Sequence, residues 1–500
     1  MHRCRSAFAV LALLLPIALC AVDELSPVRL LEDSYADSKQ LSPENRAFLL
    51  VRLTDASTDI ASQHTEAWSR ELFDLAFTLP AGWNRIATEK NALVPLARVN
   101  PTLAFEQLAK VEKPVAHEGV FTEDLRSDAA GTIFPLYLRS GSKNALQNIR
   151  KQAREFGDTG EYPYRAIGLI IDELFKSRTP EHVLNDLFSE AVSYHQRKSV
   201  FLDFDPQFYE LLQYSRFAVD DALYKKAVLD FVTHLRSGDS PGPHRFFAEI
   251  HTVEGIHPFT SQKELLLFEM YPMIRHIDRN LAIELAQQYP SLLHAGDEIQ
   301  SVSSSGVIGA PDQVAEVITE KHAQERLLLR KIQHLRDFDP IEALKEAKLV
   351  ETEPDRSNAL ASVIPALTVI DRTLARDTYR ELTQNVETLP EGVPKLGGFL
   401  ATAKAACQAG YGTSCTDYIN QTFDYGFEIS KSNWPLTKES VTPKQAGFVE
   451  LTGVAELGGE YAPNQSMVRL KSIQDPGLRG YLRLSVARGL QQRRRTNNSN

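Results

Sequence analysis

The sequence lacks the long apolar runs and the excess of basic residues that would place the chain across a membrane or on a nucleic acid. Beyond the first 21 residues, no stretch offers the roughly 18 uninterrupted apolar residues that a membrane-spanning helix needs. The formal net charge is -10, whereas proteins that hold polyphosphate backbones present a basic surface. We therefore expect a water-soluble mature chain with neither a transmembrane segment nor a nucleic-acid partner.

The first 21 residues have the pattern of a secretory signal peptide. Two arginines near the start precede the apolar residues 7–19, and a small-residue cleavage site follows. We expect export to the periplasm or the medium, with a mature chain that begins at Val22. Cys20 leaves a lipid anchor as an alternative, but bulky Leu19 stands where lipoprotein signals carry a small residue, so simple secretion is favoured.

Cysteine is scarce, and removal of the signal peptide would leave only Cys407 and Cys415. They flank Gly410-Tyr411-Gly412, which is typical of a tight turn between two helices. In a compartment that permits disulfides, this spacing makes Cys407 and Cys415 a candidate disulfide pair. Two small buried thiols at a helix contact are the alternative, and the sequence leaves the choice open.

Strong catalytic and cofactor motifs are also missing. The chain has no phosphate-binding Gly-x-x-x-x-Gly-Lys-Ser/Thr loop, no Gly-x-Ser-x-Gly elbow, no His-Glu-x-x-His pair and no Cys-x-x-Cys cluster. His251, Glu254 and His257 are the best metal candidates by residue type, but Gly255 interrupts any helix there and the pattern matches no zinc motif. We therefore assign no catalytic residue, no metal ligand and no cofactor.

Two other groups of residues have both a functional and a structural interpretation. The aromatic segments 161–164 and 417–427 are able to stack on sugars or peptides, but aromatic rings more often fill a hairpin core. Asp220 and Asp221 are able to serve acid-base chemistry, but adjacent helical residues point in different directions. For both groups we favour the structural interpretation.

The apolar residues recur with helical spacing, as in Leu360, Val363, Ile364 and Leu367. No sustained alternation with the period of a β-strand has comparable strength. Helix starts are marked by a short polar residue followed by proline, which supplies an N-cap oxygen and a first helical residue that needs no N–H. These pairs begin at Ser42, Asn100, Thr179, Asp205, Asp339 and Asp475. The sequence predicts an all-α fold made of many short helices.

A longer pattern repeats along the chain. Residues 271–282 align without a gap to residues 364–375, and residues 94–104 align with one deletion. The aligned residues predict a helix that ends before Asp278, Asp371 or Asn100, which then caps the next helix. This pattern resembles HEAT-like and TPR-like α-α repeat proteins, and most closely exported bacterial helical-repeat proteins of uncharacterised function. The resemblance covers most of residues 41–490 and implies an α-α hairpin solenoid or superhelix.

Segments rich in serine, glycine and proline suggest where the repeats are interrupted. We expect an N-terminal helical lobe at 22–300, a Ser/Gly-rich linker or loop at 301–311, and a C-terminal helical lobe at 312–490. Residues 491–500 are expected to form a disordered polar tail. One continuous superhelix with long surface loops is the alternative.

The function suggested by this pattern is a scaffold of the cell envelope that holds an unknown protein or peptide partner. It depends on analogy between folds and on the missing catalytic motifs, so catalysis is not expected but is not excluded. The alternative is a polysaccharide-active enzyme with an α-helical toroid-like domain, which would need an acidic pair in a cleft lined with aromatic side chains. A structural or assembly role ranks third.

Overall fold

A computed structural model describes ten stretches of the chain: 25–112, 124–197, 205–237, 248–252, 256–259, 261–295, 299–304, 320–353, 355–433 and 447–499. The expected signal peptide, Cys20 and residues 305–311 of the expected linker lie outside them.

These residues form 22 α-helices, which confirms the predicted all-α fold. Helices α1 to α5 are Pro27–Ser38, Pro43–Ile60, Ser62–Ala76, Trp83–Val99 and Pro101–Leu108. Helices α6 to α11 are Leu125–Arg139, Ala145–Thr159, Tyr164–Lys176, Glu181–Arg197, Asp205–Ser215 and Asp221–Ser237. Helices α12 to α17 are Gln262–Ile277, Arg279–Gln288, Glu320–Leu335, Pro340–Leu349, Asp355–Ile370 and Arg372–Thr388. Helices α18 to α22 are Val393–Gln408, Gly412–Asn433, Phe448–Tyr461, Pro463–Lys471 and Pro476–Ser499.

None of the helices in the described stretches combines the length and the apolar character that crossing a membrane requires.

The predicted caps begin the helices that they were expected to begin. Asp278 and Asp371 each accept two backbone N–H groups at 3.0 Å, and Asn100 and Asp339 each accept one at 3.1 Å. Each oxygen therefore satisfies donors that the first helical turn cannot pair internally. The repeat aligned in the sequence is confirmed as a helix, a capping residue and a second helix.

The described chain divides into two compact units. The central unit holds the described residues of Pro80–Val317, and the terminal unit holds those of Met1–Leu79 and Ile318–Asn500. Residues 25–79 thus belong with the C-terminal helices, which the sequence did not indicate. The second change of unit lies a few residues after the expected linker at 301–311.

Helix pairs stack in the central unit. The first helices of successive hairpins, which we name the A helices, are α4, α6, α8, α10 and α12, and each packs on the next. The second helices, the B helices, are α5, α7, α9, α11 and α13. Side-chain bonds between successive hairpins include Arg139 with Glu173, 34 positions apart, and Arg236 with Glu284, 48 positions apart. These separations are the length of one repeat.

A three-stranded antiparallel sheet of order β2-β1-β3 accompanies the central helices, with β1 Ala248–Thr252, β2 Ile256–Phe259 and β3 Ile299–Ser304. Ile250 of β1 pairs with His257 on one side and Val302 on the other. Residues 301–304, expected to be linker or loop, are therefore part of a strand. Serine is compatible with an extended chain when a neighbouring strand accepts and donates the backbone hydrogen bonds.

The terminal unit repeats the same packing, because α16, α18, α20 and α22 each contact the next in that order. A Cβ atom on Gly489 of α22 would lie 1.9 Å from the Glu456 carbonyl oxygen, so this contact requires glycine. Helix α22 continues to Ser499, and residues 491–499 are helical rather than a disordered tail. Glutamine and arginine propagate a helix well once it has begun, and Arg495 lies 3.8 Å from Asp59.

Cys407, near the end of α18, and Cys415, in the first turns of α19, are joined by a disulfide with a Cα–Cα distance of 4.6 Å. Gly410 takes a positive φ of 75° between them, which allows the chain to reverse. The backbone N–H of Tyr411 donates to the Ala406 carbonyl and completes the turn. The turn thus brings the two ends of a short segment together.

Candidate binding surface of the central unit

The aromatic segment 161–164 lies inside the hairpin core, as the structural interpretation predicted. Tyr162 and Tyr164 are fully buried, and their rings lie 5.3 Å apart. In segment 417–427, Phe423 is also fully buried. These rings contribute buried area and are not exposed for stacking on a ligand.

The histidine segment lies in the sheet rather than on a helix. His257 pairs with Ile250 across β2 and β1, and its ring stacks on that of His294 at 4.9 Å. Among the residues that the structure describes, no group of three or more His, Cys, Asp or Glu is arranged to hold a metal ion.

Asp220 and Asp221 have local structural roles at the start of α11. Asp220 accepts the Leu223 backbone N–H at 3.0 Å, and Asp221 pairs with Lys225 at 2.6 Å. The two carboxylates do not converge on one site, as expected for adjacent helical residues.

A different set of charged residues crosses the A helices. Lys90 on α4 pairs with Asp128 on α6. The side chain of Arg165 on α8 passes close to Gly131 on α6, and its Nε lies 3.1 Å from the Glu210 carboxylate on α10. Adjacent hairpins are therefore joined by side chains that are only partly covered.

Close packing of α8 on α10 positions the last of these pairs. Ile167, Ile170 and Ile171 form a buried stripe on α8. On the same helix, a Cβ at Gly168 would lie 3.1 Å from the Leu211 Cα, so the absence of a side chain lets the two helices approach. The sequence supplies small and branched apolar residues here, and the partners Arg165 and Glu210 meet at the edge of this contact.

The negative charge of Glu210 on α10 acts on the carboxylate of Glu269 on α12. Burial, and then the negative charge of Glu210, raise the pKa of Glu269 to about 7. Burial also raises the pKa of Glu210, and the Arg165 guanidinium partly offsets that rise. Tyr209 fixes the local backbone because its hydroxyl donates to the Glu269 carbonyl at 3.0 Å.

Glu210 has the Arg165 guanidinium beside it, whereas Glu269 has no comparable cation among the described residues. Within the described stretches, no cation or hydrogen-bond donor reaches the Glu269 carboxylate. We name Lys90, Asp128, Arg165, Glu210 and Glu269 the A-helix surface. At one end of this surface, Glu210 and Glu269 form an acidic pair in which the Glu269 carboxylate lacks a counter-charge. Such a site favours a positively charged or hydrogen-donating group.

Sequence reasoning missed Glu210 and Glu269 because nothing in their local spacing differs from that of an ordinary helix surface. They come together only because α10 and α12 belong to successive hairpins with an inserted strand pair between them. The repeat length, if known beforehand, would have been the signal that relates such positions.

No protein-family profile and no curated protein sequence matches the chain.

Proposed function

We propose that the protein is an exported helical-repeat scaffold of the cell envelope that binds a protein or peptide partner across the A-helix surface. The observation that carries the proposal is the acidic pair of Glu210 and Glu269, of which Glu269 lacks a counter-charge in the described chain. A lysine or arginine side chain of a partner would supply that charge. Arg165, Asp128 and Lys90 extend the polar contact over three further helices.

The way the surface is built supports binding over several repeats. Each charged residue comes from a different A helix, so an extended segment is able to contact one residue of each hairpin in turn. Charged side chains that are partly covered contribute more to recognition than fully exposed ones, because they are less screened by water. A partner with basic side chains fits this arrangement.

A peptide-binding measurement tests the proposal. We expect lysine-containing and arginine-containing peptides to bind the purified chain, and we expect Glu269→Gln to weaken binding about tenfold or more. Glu284→Gln is the matched control, because Glu284 is a paired glutamate on a B helix, away from the A-helix surface. Equal peptide binding by the wild type, Glu269→Gln and Glu284→Gln would contradict a binding site on the A-helix surface. Crosslinking in intact cells, followed by mass spectrometry, should recover one stoichiometric envelope protein.

A second candidate is the polysaccharide-active enzyme. The specific observation in its favour is Glu269, whose pKa near 7 suits a general acid beside a second carboxylate. Against it, Tyr209, whose hydroxyl bonds the backbone carbonyl of Glu269, is buried and offers no platform for a sugar ring. Turnover of a cell-wall or plant polysaccharide that is lost in both Glu269→Gln and Glu210→Gln would favour the enzyme over the scaffold.

Export is a separate part of the proposal and has its own test. Mass spectrometry of the protein from its native host should show a chain that starts near Val22. A retained Met1 would contradict export, and a lipid-modified Cys20 would replace secretion by anchoring.

A further inference from the structure

The turns between the A and B helices of the central unit form one continuous row. We name this row the turn edge; its five segments are residues 98–102, 139–144, 175–181, 215–221 and 275–280. Thr102 and Ser142 join the first two turns at 3.2 Å. Next to the other turns, neighbouring hairpins are joined by Arg139 with Glu173 at 2.8 Å, Asp220 with Asn185 at 2.9 Å, and Tyr224 with Met273 at 3.1 Å. Because each contact joins neighbouring hairpins at the same end, the five turns lie side by side.

The turn edge carries positive charges that the described chain does not neutralise. Five cations of the turn edge are exposed and have no ion pair within the described stretches: Lys143, Arg178, Arg216, Arg275 and Arg279. They come from four of the five turns. This concentration contrasts with the net charge of -10 for the whole chain.

The five segments hold four acidic residues, Glu181, Asp220, Asp221 and Asp278, against eight basic ones. Asp221 pairs with Lys225, while Asp220 and Asp278 accept backbone N–H groups at the starts of α11 and α13. Glu181 is exposed and has no ion pair among the described residues. The unpaired charge of the edge is therefore predominantly positive.

Large apolar side chains lie exposed among these cations. Val99 is 39% exposed, Phe175 45% and Phe217 77%, and each belongs to a different turn. The Arg216 guanidinium lies 5.0 Å from the centre of the Phe217 ring, so charge and apolar surface occupy the same place.

Arg178 supplies an independent sign that charge matters at this edge. Its φ is +60°, the left-handed conformation that ends helices and that glycine adopts without steric cost. The backbone N–H of Arg178 donates to the Phe175 carbonyl and that of Thr179 to the Leu174 carbonyl, as in a glycine-terminated helix end. An arginine at this position is disfavoured by conformation, so its presence calls for another reason.

We infer that the turn edge binds the surface of an anionic phospholipid bilayer. A bilayer interface accepts both features together, because its phosphate headgroups attract the cations while its acyl boundary takes up Val99, Phe175 and Phe217. An acidic peptide would pair with the cations but leave these apolar side chains in water. The negative charge of the whole molecule makes the attraction local to this edge and sensitive to salt.

Co-sedimentation with vesicles tests the inference on the full mature chain. We expect binding to vesicles of phosphatidylglycerol and phosphatidylcholine, little binding to phosphatidylcholine alone, and release by salt. Each neutralised cation should weaken binding about fivefold, so the triple variant Arg178→Glu, Arg216→Glu, Arg275→Glu should lose about 100-fold or more. The matched control changes Lys110, Lys151 and Lys226 to Glu, three exposed lysines outside the turn edge.

Two further variants separate binding from folding. Arg178→Gly should leave the thermal midpoint unchanged or raise it, because it relieves the left-handed arginine, yet it should weaken vesicle binding about fivefold. Phe217→Ser should reduce binding without any change in charge. The inference is overturned if the wild-type protein does not bind anionic vesicles, or if the two triple variants lose vesicle binding equally. It is also overturned if the turn edge binds polyglutamate but no vesicle, which would indicate an acidic protein partner instead.

Discussion

At the scale of single residues, the helix caps have measurable consequences. Asp371 accepts the backbone N–H groups of Thr373 and Leu374, both at 3.0 Å. We predict that Asp371→Ala lowers the free energy of unfolding by about 1 kcal/mol, because these donors lose their acceptor. Urea denaturation measures the change. Asp377→Ala, on the same helix but paired only with exposed Arg380, should change stability by less than about 0.5 kcal/mol.

The raised pKa of Glu269 makes stability depend on pH. Because burial and Glu210 raise this pKa to about 7, the folded state holds the proton more tightly than the unfolded state does. Below about pH 4, where Glu269 is protonated in both states, it does not lower the free energy of unfolding. Above that pH the free energy of unfolding falls until the pH passes 7. The loss reaches about 2 to 3 kcal/mol once the folded-state carboxyl is ionised.

We predict that Glu269→Gln is more stable than the wild type at pH 8 and that the two converge at pH 4. Denaturation across this pH range measures the difference. The effect is set by the burial of Glu269 and by the charge of Glu210, whose own pKa is partly lowered by Arg165. In a Glu210→Gln background, the pH at which Glu269 begins to lower stability should move to lower pH. A stability difference between Glu269→Gln and the wild type that is the same at all pH values would mean that packing, not charge, causes the difference.

At the scale of helices and turns, the disulfide between Cys407 and Cys415 closes a segment with a sequence separation of 8. Closing so short a loop stabilises a fold by about 2 to 3 kcal/mol on the chain-entropy account. We predict that dithiothreitol lowers the denaturation midpoint of the wild type to that of the Cys407→Ser, Cys415→Ser double variant. The double variant itself should not respond to the reductant, and a response would point to another thiol.

The helical repeat was predictable because its signals are local. An acidic or amide side chain before a helix accepts N–H groups two and three residues on, so Asp278, Asp371 and Asn100 are recognisable without any tertiary contact. The sheet was not predictable, since β3 is extended only because it pairs with β1, which is distant in sequence. The acidic pair of Glu210 and Glu269 was missed for the same reason.

At the scale of the whole chain, the two ends meet in the terminal unit. Helix α22 packs on α1, and the buried Asp37 of α1 accepts hydrogen bonds from Arg479 and Arg483 of α22. The Ser34 hydroxyl donates to the Gly480 carbonyl at 2.8 Å. Sequence patterns could not relate these residues, because 442 positions along the chain separate Asp37 from Arg479.

We predict that Asp37→Asn destabilises both ends together. Removing the carboxylate leaves two arginines beside an amide, and since both remain about one-fifth exposed, the loss should be about 2 to 3 kcal/mol, less than for fully buried pairs. Hydrogen exchange followed by mass spectrometry should show faster exchange in peptides from α1 and from α22, with peptides from α8 in the central unit as the internal reference. Asp33→Asn is the control, because the Asp33 carboxylate on the same helix forms an exposed pair with Arg29, and the substitution keeps the backbone carbonyl that accepts from Arg483. If α1 alone exchanged faster, the link between the chain ends would not stabilise α22, and the two helices would have to be held by their apolar contacts instead.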